Sequence, residues 1–200
     1  MGYLYIIMGK SASGKDTLYQ RVMDQHTELR PVVTYTTRPI RAGETEGKEY
    51  HFVSESQFQK MRGEGTVVEY RCYETVKGLW YYFTVDDGQI DFEKGDSCMI
   101  TTLEGYEQIR DYYGKERVVP LYIEVDDMVR IERSLKREKE QEKPCVAEVC
   151  RRFLADEKDF CENNLRRLEI NNRIDNTSLE EAVCQIEETL KSGKNGRLSL

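Results

Sequence analysis

The chain has 200 residues, of which 38% are hydrophobic, 34% charged and 10% aromatic. That is enough for one domain with a modest insertion and too apolar for a disordered polypeptide. Thirty Lys and Arg against 37 Asp and Glu leave a net charge of −7, which argues against non-specific binding to nucleic acid or to an anionic membrane. The longest apolar run near the start, Tyr3–Met8, is too short to cross a bilayer, and no signal-peptide pattern accompanies it. Cys72, Cys98, Cys145, Cys150, Cys161 and Cys184 form no Cys-x-x-Cys pair, and the only histidines are His26 and His51, so zinc has little to draw on. Without a signal, these cysteines read as reduced thiols, which implies a cytoplasmic protein.

Taken in chain order, Tyr3–Met8 predicts a buried strand, followed by a glycine-rich turn and a helix with Leu18 and Val22 on one face. Short β-type runs follow at Val32–Thr36, Thr66–Tyr70 and Trp80–Val85, with a helix from Ser54 to Met61 opened by a Ser54/Gln57 capping box. We read residues 34–92 as a small antiparallel lobe inserted beside a parallel sheet and able to move as a unit. Ser97–Leu103, Val118–Val125 and Leu168–Ile174 continue the parallel sheet, and the helix Glu104–Tyr113 stops at Gly114. Residues 130–160 form a second mobile candidate, in which the charged run Lys136–Lys143 meets Pro144 before another amphipathic helix. Ser178 and Glu181 open a last helix whose stripe is Ala182, Val183, Ile186 and Leu190, and the polar tail 191–200 should fray. The whole is one α/β domain, with its core in residues 1–33 and 93–190.

Gly9-Lys10-Ser11-Ala12-Ser13-Gly14-Lys15 matches the G-x-x-x-x-G-K phosphate loop and lies between an apolar strand and a helix, where that loop must lie to work. Glycines let the backbone N–H groups curl around phosphate oxygens, the helix N-terminus adds partial positive charge, and Lys15 reaches the β- and γ-phosphates of ATP. Asp16 stands where a Ser or Thr usually offers a hydroxyl to Mg²⁺. Its carboxylate can bind the metal, or it serves only as a favourable first-turn anion; Thr17 is the nearest substitute hydroxyl.

The next cluster runs Thr34-Tyr35-Thr36-Thr37-Arg38-Pro39-Ile40-Arg41-Ala42-Gly43-Glu44-Thr45-Glu46-Gly47-Lys48-Glu49-Tyr50-His51-Phe52-Val53. With the phosphate loop, it resembles the guanylate kinase family, whose Ser/Thr-rich strand, T-T-R, second Arg, G-E-x-x-G and Y-x-F-V it matches nearly unbroken. The resemblance implies a P-loop NTPase sheet carrying an acceptor-binding insertion and a helical lid over residues 130–160. Two arginines three apart and a tyrosine can converge on one phosphate through bidentate guanidinium forks and a phenol O–H. By resemblance, Arg38, Arg41 and Tyr50 are the clamp on the acceptor phosphate. Phe52 reads as core and His51 as a plain surface residue.

The resemblance places Thr34 and Glu69 on the acceptor's base. An ionised Glu69 can accept from guanine's ring N–H and amino group together, whereas adenine offers an acceptor at that edge. Thr102 stands where the family has an Asp, and Leu79-Trp80-Tyr81-Tyr82-Phe83-Thr84 where it has Tyr-Gly-Thr. Tyr81 aligns best with the phosphate-binding tyrosine, while Trp80 and Phe83 read as packing aromatics. Arg133 and Arg137 share a helix face, and Arg151 and Arg152 follow; these resemble lid arginines, with Arg137 and Arg152 chosen, although a solvated helix face explains any one of them as well. Asn176 aligns with a residue near the donor's adenine.

The activity implied is Mg²⁺-assisted transfer of the γ-phosphoryl group of ATP to GMP or dGMP, with Lys15, Arg38, Arg137 and Arg152 as catalytic residues and no general base. Thr102 and the Trp80–Phe83 stretch keep open a kinase for another phosphorylated acceptor. Asp16 alone supports a third reading, a non-catalytic binding module. None of these readings invokes nucleic acid or a membrane.

Overall fold

The computed structural model describes residues 2–41, 43–75 and 78–194. Ala42, within the acceptor motif, and the tail beyond residue 194 lie outside the described residues. Strand β1 (Leu4–Gly9) is buried at every position and leads into α1 (Lys15–Gln25), whose Leu18 and Val22 are buried as the helical spacing predicts. Next come β2 (Arg30–Pro31), β3 (Tyr35–Thr36), β4 (His51–Phe52), α2 (Glu55–Gly63), β5 (Val67–Thr75) and β6 (Gly78–Val85). After them are β7 (Ser97–Ile100), α3 (Leu103–Tyr113), β8 (Val118–Glu124), α4 (Asp127–Lys139), α5 (Val146–Asp159), α6 (Glu162–Arg167), β9 (Arg173–Asp175) and α7 (Leu179–Lys194). The larger sheet has the order β2-β7-β1-β8-β9, with β2–β7 and β8–β9 parallel, and the smaller has the order β4-β3-β6-β5.

Local signals account for several boundaries. Ser54 and Gln57 form the reciprocal capping box that starts α2, and Gly114, at φ 91°, donates its N–H to the Arg110 carbonyl where α3 stops. Ala182, Val183, Ile186 and Leu190 are all buried along α7. That helix reaches Lys194, so residues 191–194, expected in a frayed tail, are helical.

Two other expectations are corrected. Leu168–Ile174 is mostly not strand: Leu168 caps α6, Glu169 takes a positive φ of 55°, and only Arg173–Asp175 pairs, beside β8. The apolar run there reflects Leu168 and Ile170 buried from a turn rather than along a strand. The inserted sheet is not wholly antiparallel, because β4 pairs parallel with β3. Residues 37–50 form the long crossover a parallel pair demands.

The chain divides into two compact units. One comprises Met1–Leu4, Glu28–Met99 and Glu104–Val118; the other comprises Tyr5–Thr27, Ile100–Leu103 and Val119–Leu200. The first contains the smaller sheet, with a core of Phe58 from α2 against Tyr81, Phe83 and Val85 from β6. The second contains the glycine-rich loop and helices α4 to α7. All six cysteines are free thiols. Among the described residues, no helix is long and apolar enough to cross a membrane.

Candidate functional site

The phosphate loop is shaped by positions where a side chain is excluded. A Cβ on Gly9 would lie 2.7 Å from the Ile123 carbonyl oxygen and 2.8 Å from Ser13 Oγ. Gly14 caps α1 in the left-handed region at φ 86°, and a Cβ there would collide with the Asn176 amide. Ala12 also has a positive φ, 60°. The curled backbone leaves the first-turn amides of α1 pointing out of the helix, the arrangement that binds anions. Lys15 Nζ stands 3.8 Å from Asp16 Oδ2, and Asp16 is 80% exposed at the start of α1. Thr17, beside it, is exposed too. Asn176 is buried, and its Nδ2 donates to the Ser13 carbonyl at 2.7 Å, so its side chain braces the loop from behind.

Helices α4 and α5 meet this loop through a cluster that sequence reasoning missed. Arg130 is the largest fully buried side chain among the described residues, and its Nε donates to the Ser11 carbonyl at 3.2 Å. The same guanidinium pairs with Asp127, with Asp156 at 3.3 Å and with Glu157 at 3.0 Å. Asp156 accepts from the Ser11 N–H at 2.7 Å, and Glu157 accepts from Lys10 Nζ at 2.7 Å. Three carboxylates on one buried guanidinium satisfy most of its five donors, which burial requires. Arg130, Ser134 and Arg137 from α4 and Arg152 from α5 then line one narrow cleft with Ser11. Of the two arginines chosen from sequence, both therefore reach the same cleft. Arg151 and Arg152 share the Glu148 carboxylate, each at 2.7 Å, and hold it down to about 2. Arg133 lies instead near Gly14, where its Nη1 would be 3.6 Å from an added Cβ.

The Thr34–Val53 motif builds a second cluster, in the other unit. Thr36 Oγ1 donates to the Tyr81 carbonyl and accepts from the Arg38 N–H, which fixes the backbone just past β3 from which the Arg38 side chain projects. Arg38 is 3% exposed, and its two terminal nitrogens donate to Glu44 at 2.7 and 2.6 Å. Its guanidinium lies 5.0 Å from the Tyr50 ring centroid and 5.3 Å from that of Phe52, so Phe52 serves the arginine rather than the core. Among the described residues, Arg38 Nε is buried without a hydrogen-bond partner. Arg41 is exposed and gives its backbone N–H to Glu44 at 2.8 Å. Glu44, held by the Arg38 fork, is pulled down to about 2. Burial raises the Tyr50 phenol above its usual range, so it stays a neutral donor. His51 is engaged rather than plain: its Nδ1 lies 2.9 Å from Glu46 Oε1. Thr34 is half-buried, and its carbonyl accepts from the His51 N–H.

The alternation of strand side chains corrects one assignment. Tyr81 points away from Arg38 and stacks on Phe58, at 4.4 Å between centroids, inside the core with Phe83. Tyr82 takes the opposite face, 5.6 Å from the Tyr50 ring, and its hydroxyl interacts with the Arg38 guanidinium. Thr84 is on that face as well and donates to Glu69 Oε1 at 2.9 Å. Glu69 is buried, with burial raising its carboxyl above the ordinary range, and Arg71 lies against it. Counting two residues back from Thr84, the partner of Glu69 in the strand register, would have found Tyr82 in the sequence. Thr102 falls in the other unit, half-buried in the residues between β7 and α3.

A family model described as guanylate kinase matches residues 1–193. The chain belongs to the guanylate kinase family. The guanylate kinase of Legionella pneumophila (strain Lens) is 35% identical over 113 residues, 56% of this chain and 53% of that protein. The guanylate kinase of Geobacter metallireducens is 43% identical over 79 residues, 37% of this chain and 39% of that protein. The chain thus spans about half the length of the first of these curated guanylate kinases, or less in the second. The crystal structure of guanylate kinase from Anaplasma phagocytophilum shares the fold, with a TM-score of 0.64 at 18% identity over 96% of this chain and 86% of that one.

Proposed function

We propose that this guanylate kinase family member phosphorylates GMP, or dGMP, with ATP as the phosphoryl donor. The single observation that carries the acceptor choice is Glu69, buried opposite Thr84 on the same face as Tyr82 and Arg71, a carboxylate suited to guanine's two adjacent N–H donors. Arg38, whose buried Nε has no partner among the described residues, takes the acceptor phosphate together with Tyr50 and Tyr82, and Arg41 adds charge at the rim. Gly9 to Thr17 take the donor phosphates, with Lys15 at the β- and γ-phosphates. Arg137 and Arg152, in a cleft shared with Arg130, meet charge on the transferring group, for which Arg152 leaves Glu148. No side chain need remove a proton, since positioning and charge neutralisation supply most of the rate.

Mg²⁺ fits this chain through Asp16, a hard oxygen donor beside Lys15 at the start of α1, with Thr17 one residue on. When bound, the ion neutralises charge on the donor's phosphates. Asp16 and Thr17 would hold it with those phosphates and water. A location in the cytoplasm, with no nucleic acid or membrane as partner, belongs to the same reading.

The deciding experiment is coupled ADP release over GMP, dGMP, AMP, CMP and UMP, with and without Mg²⁺. GMP turnover well above the others is expected, and turnover of no nucleotide refutes the reading. Lys15→Ala and Arg38→Ala should each lower kcat/KM by about 10²-fold or more while the far-ultraviolet spectrum is unchanged.

A further inference from the structure

Resting on the reading of the acceptor as GMP, we infer that Arg71 is a positioning residue that keeps Glu69 ionised and aimed, and so sets the choice of guanine over adenine. Glu69 and Arg71 are two apart on β5 and share a face, with Thr84 and Tyr82 of β6 directly across. The Glu69 side chain has no exposed surface and that of Arg71 is 15% exposed. Arg71 Nε donates to Glu69 Oε2 at 3.3 Å and Nη2 to Oε1 at 3.4 Å, while the Thr84 hydroxyl holds Oε1 at 2.9 Å. The two arginine bonds are long, so an incoming pair of N–H donors can compete for the carboxylate while the guanidinium charge stays beside it. Arg71 also lines a cavity of about 330 Å³ with Glu104 and Gln108 of α3, within the ~300–1,000 Å³ range of small-molecule sites.

The charges around Glu69 oppose one another. Burial and the Glu104 carboxylate on α3 favour its protonated form; Arg71 on its own strand and the Thr84 hydroxyl from β6 favour the ionised one. Remove the Arg71 charge and Glu69 holds its proton to higher pH. A protonated carboxyl offers one donor and one acceptor, which complements the ring nitrogen and amino group of adenine rather than the two donors of guanine. Loss of Arg71 should therefore weaken GMP and relax discrimination against AMP, and should do so most at low pH.

The test uses the full chain, with Arg71→Met and Arg71→Lys beside the wild type. KM and kcat for GMP and AMP are measured at saturating ATP, and the Glu69 carboxyl is titrated by carbon NMR without nucleotide. In Arg71→Met, KM for GMP should rise about tenfold or more at the acid end of the profile and recover as the pH is raised and the carboxyl ionises. Saturating kcat and KM for ATP should stay within about threefold of wild type, and Arg71→Lys should restore most of the GMP affinity. A GMP profile in Arg71→Met that follows the wild type overturns the inference, as does an equal loss of kcat and ATP affinity at every pH. If the wild type turns over no GMP, the functional reading falls. The NMR titration then decides the Arg71–Glu69 linkage alone: a higher Glu69 midpoint in Arg71→Met supports it, and an unmoved one overturns it.

Discussion

Tyr81 and Tyr82 are neighbours in sequence, yet one belongs to the core of the smaller sheet and the other to the acceptor cluster. Their substitutions should separate accordingly. Tyr81→Ala empties a site packed on Phe58 and should lower stability by about 3–5 kcal/mol, the usual range for a large buried aromatic, read by urea unfolding. Tyr82→Phe removes only a hydroxyl beside Arg38, so it should leave the unfolding midpoint in place while raising KM for GMP about tenfold, the weight of one hydrogen bond to a charged group. At this scale much of the candidate site was legible. Lys15 and Arg38 are marked by the phosphate loop and the Thr-Thr-Arg motif, and Glu69 by the resemblance to the guanylate kinase family. Tyr82 was not, since choosing between two adjacent tyrosines needs the register of β5 and β6, which a single sequence does not carry. Arg130 was hidden for a different reason: on a charged helix nothing marks which arginine is buried until its three carboxylate partners are assembled.

Among the elements, α4 and α5 are tied to the phosphate loop by polar groups, and Arg130 is the knot. Arg130→Met keeps the volume of the side chain but leaves Asp156 and Glu157 short of a counter-charge in a partly buried site. It should destabilise the protein by about 3–5 kcal/mol, as breaking a buried ion cluster does, and calorimetry checks this. Because the Ser11 carbonyl loses its donor as well, KM for ATP should rise in the same variant at temperatures where it remains folded. The helices themselves were readable from capping boxes and apolar stripes, which are local signals. The parallel pairing of β4 with β3 was not, because its direction is set by the crossover of residues 37–50 and not by anything within the two strands. Leu168–Ile174 misled for the complementary reason, in that burial of Leu168 and Ile170 looks the same in a turn as in a strand.

For the whole molecule, the net charge of −7 hides a distribution in which cations are fixed by particular carboxylates. Glu44 and Glu148 are both held at about 2, against an ordinary value of 4.5, by Arg38 and by the Arg151–Arg152 pair. A depressed carboxylate contributes stability that is present above its unfolded value and lost as pH falls through the folded one. Stability should therefore decline between about pH 4.5 and about pH 2, and Glu44→Gln and Glu148→Gln together should flatten that decline. Acid titration followed by circular dichroism tests this.

The chain passes between the two units after Leu4, Thr27, Met99, Leu103 and Val118, so no single cut yields either unit as one continuous polypeptide. The only tryptophan, Trp80, is half-buried on the Tyr82 face of β6, in the unit that carries the acceptor cluster, while the phosphate loop has none. On the proposed function, the indole labels one ligand's site and leaves the other dark. Excited at the indole band, the protein should change its emission when GMP is added and show no change with a non-hydrolysable ATP analogue alone, so that acceptor occupancy can be followed in real time without any attached dye.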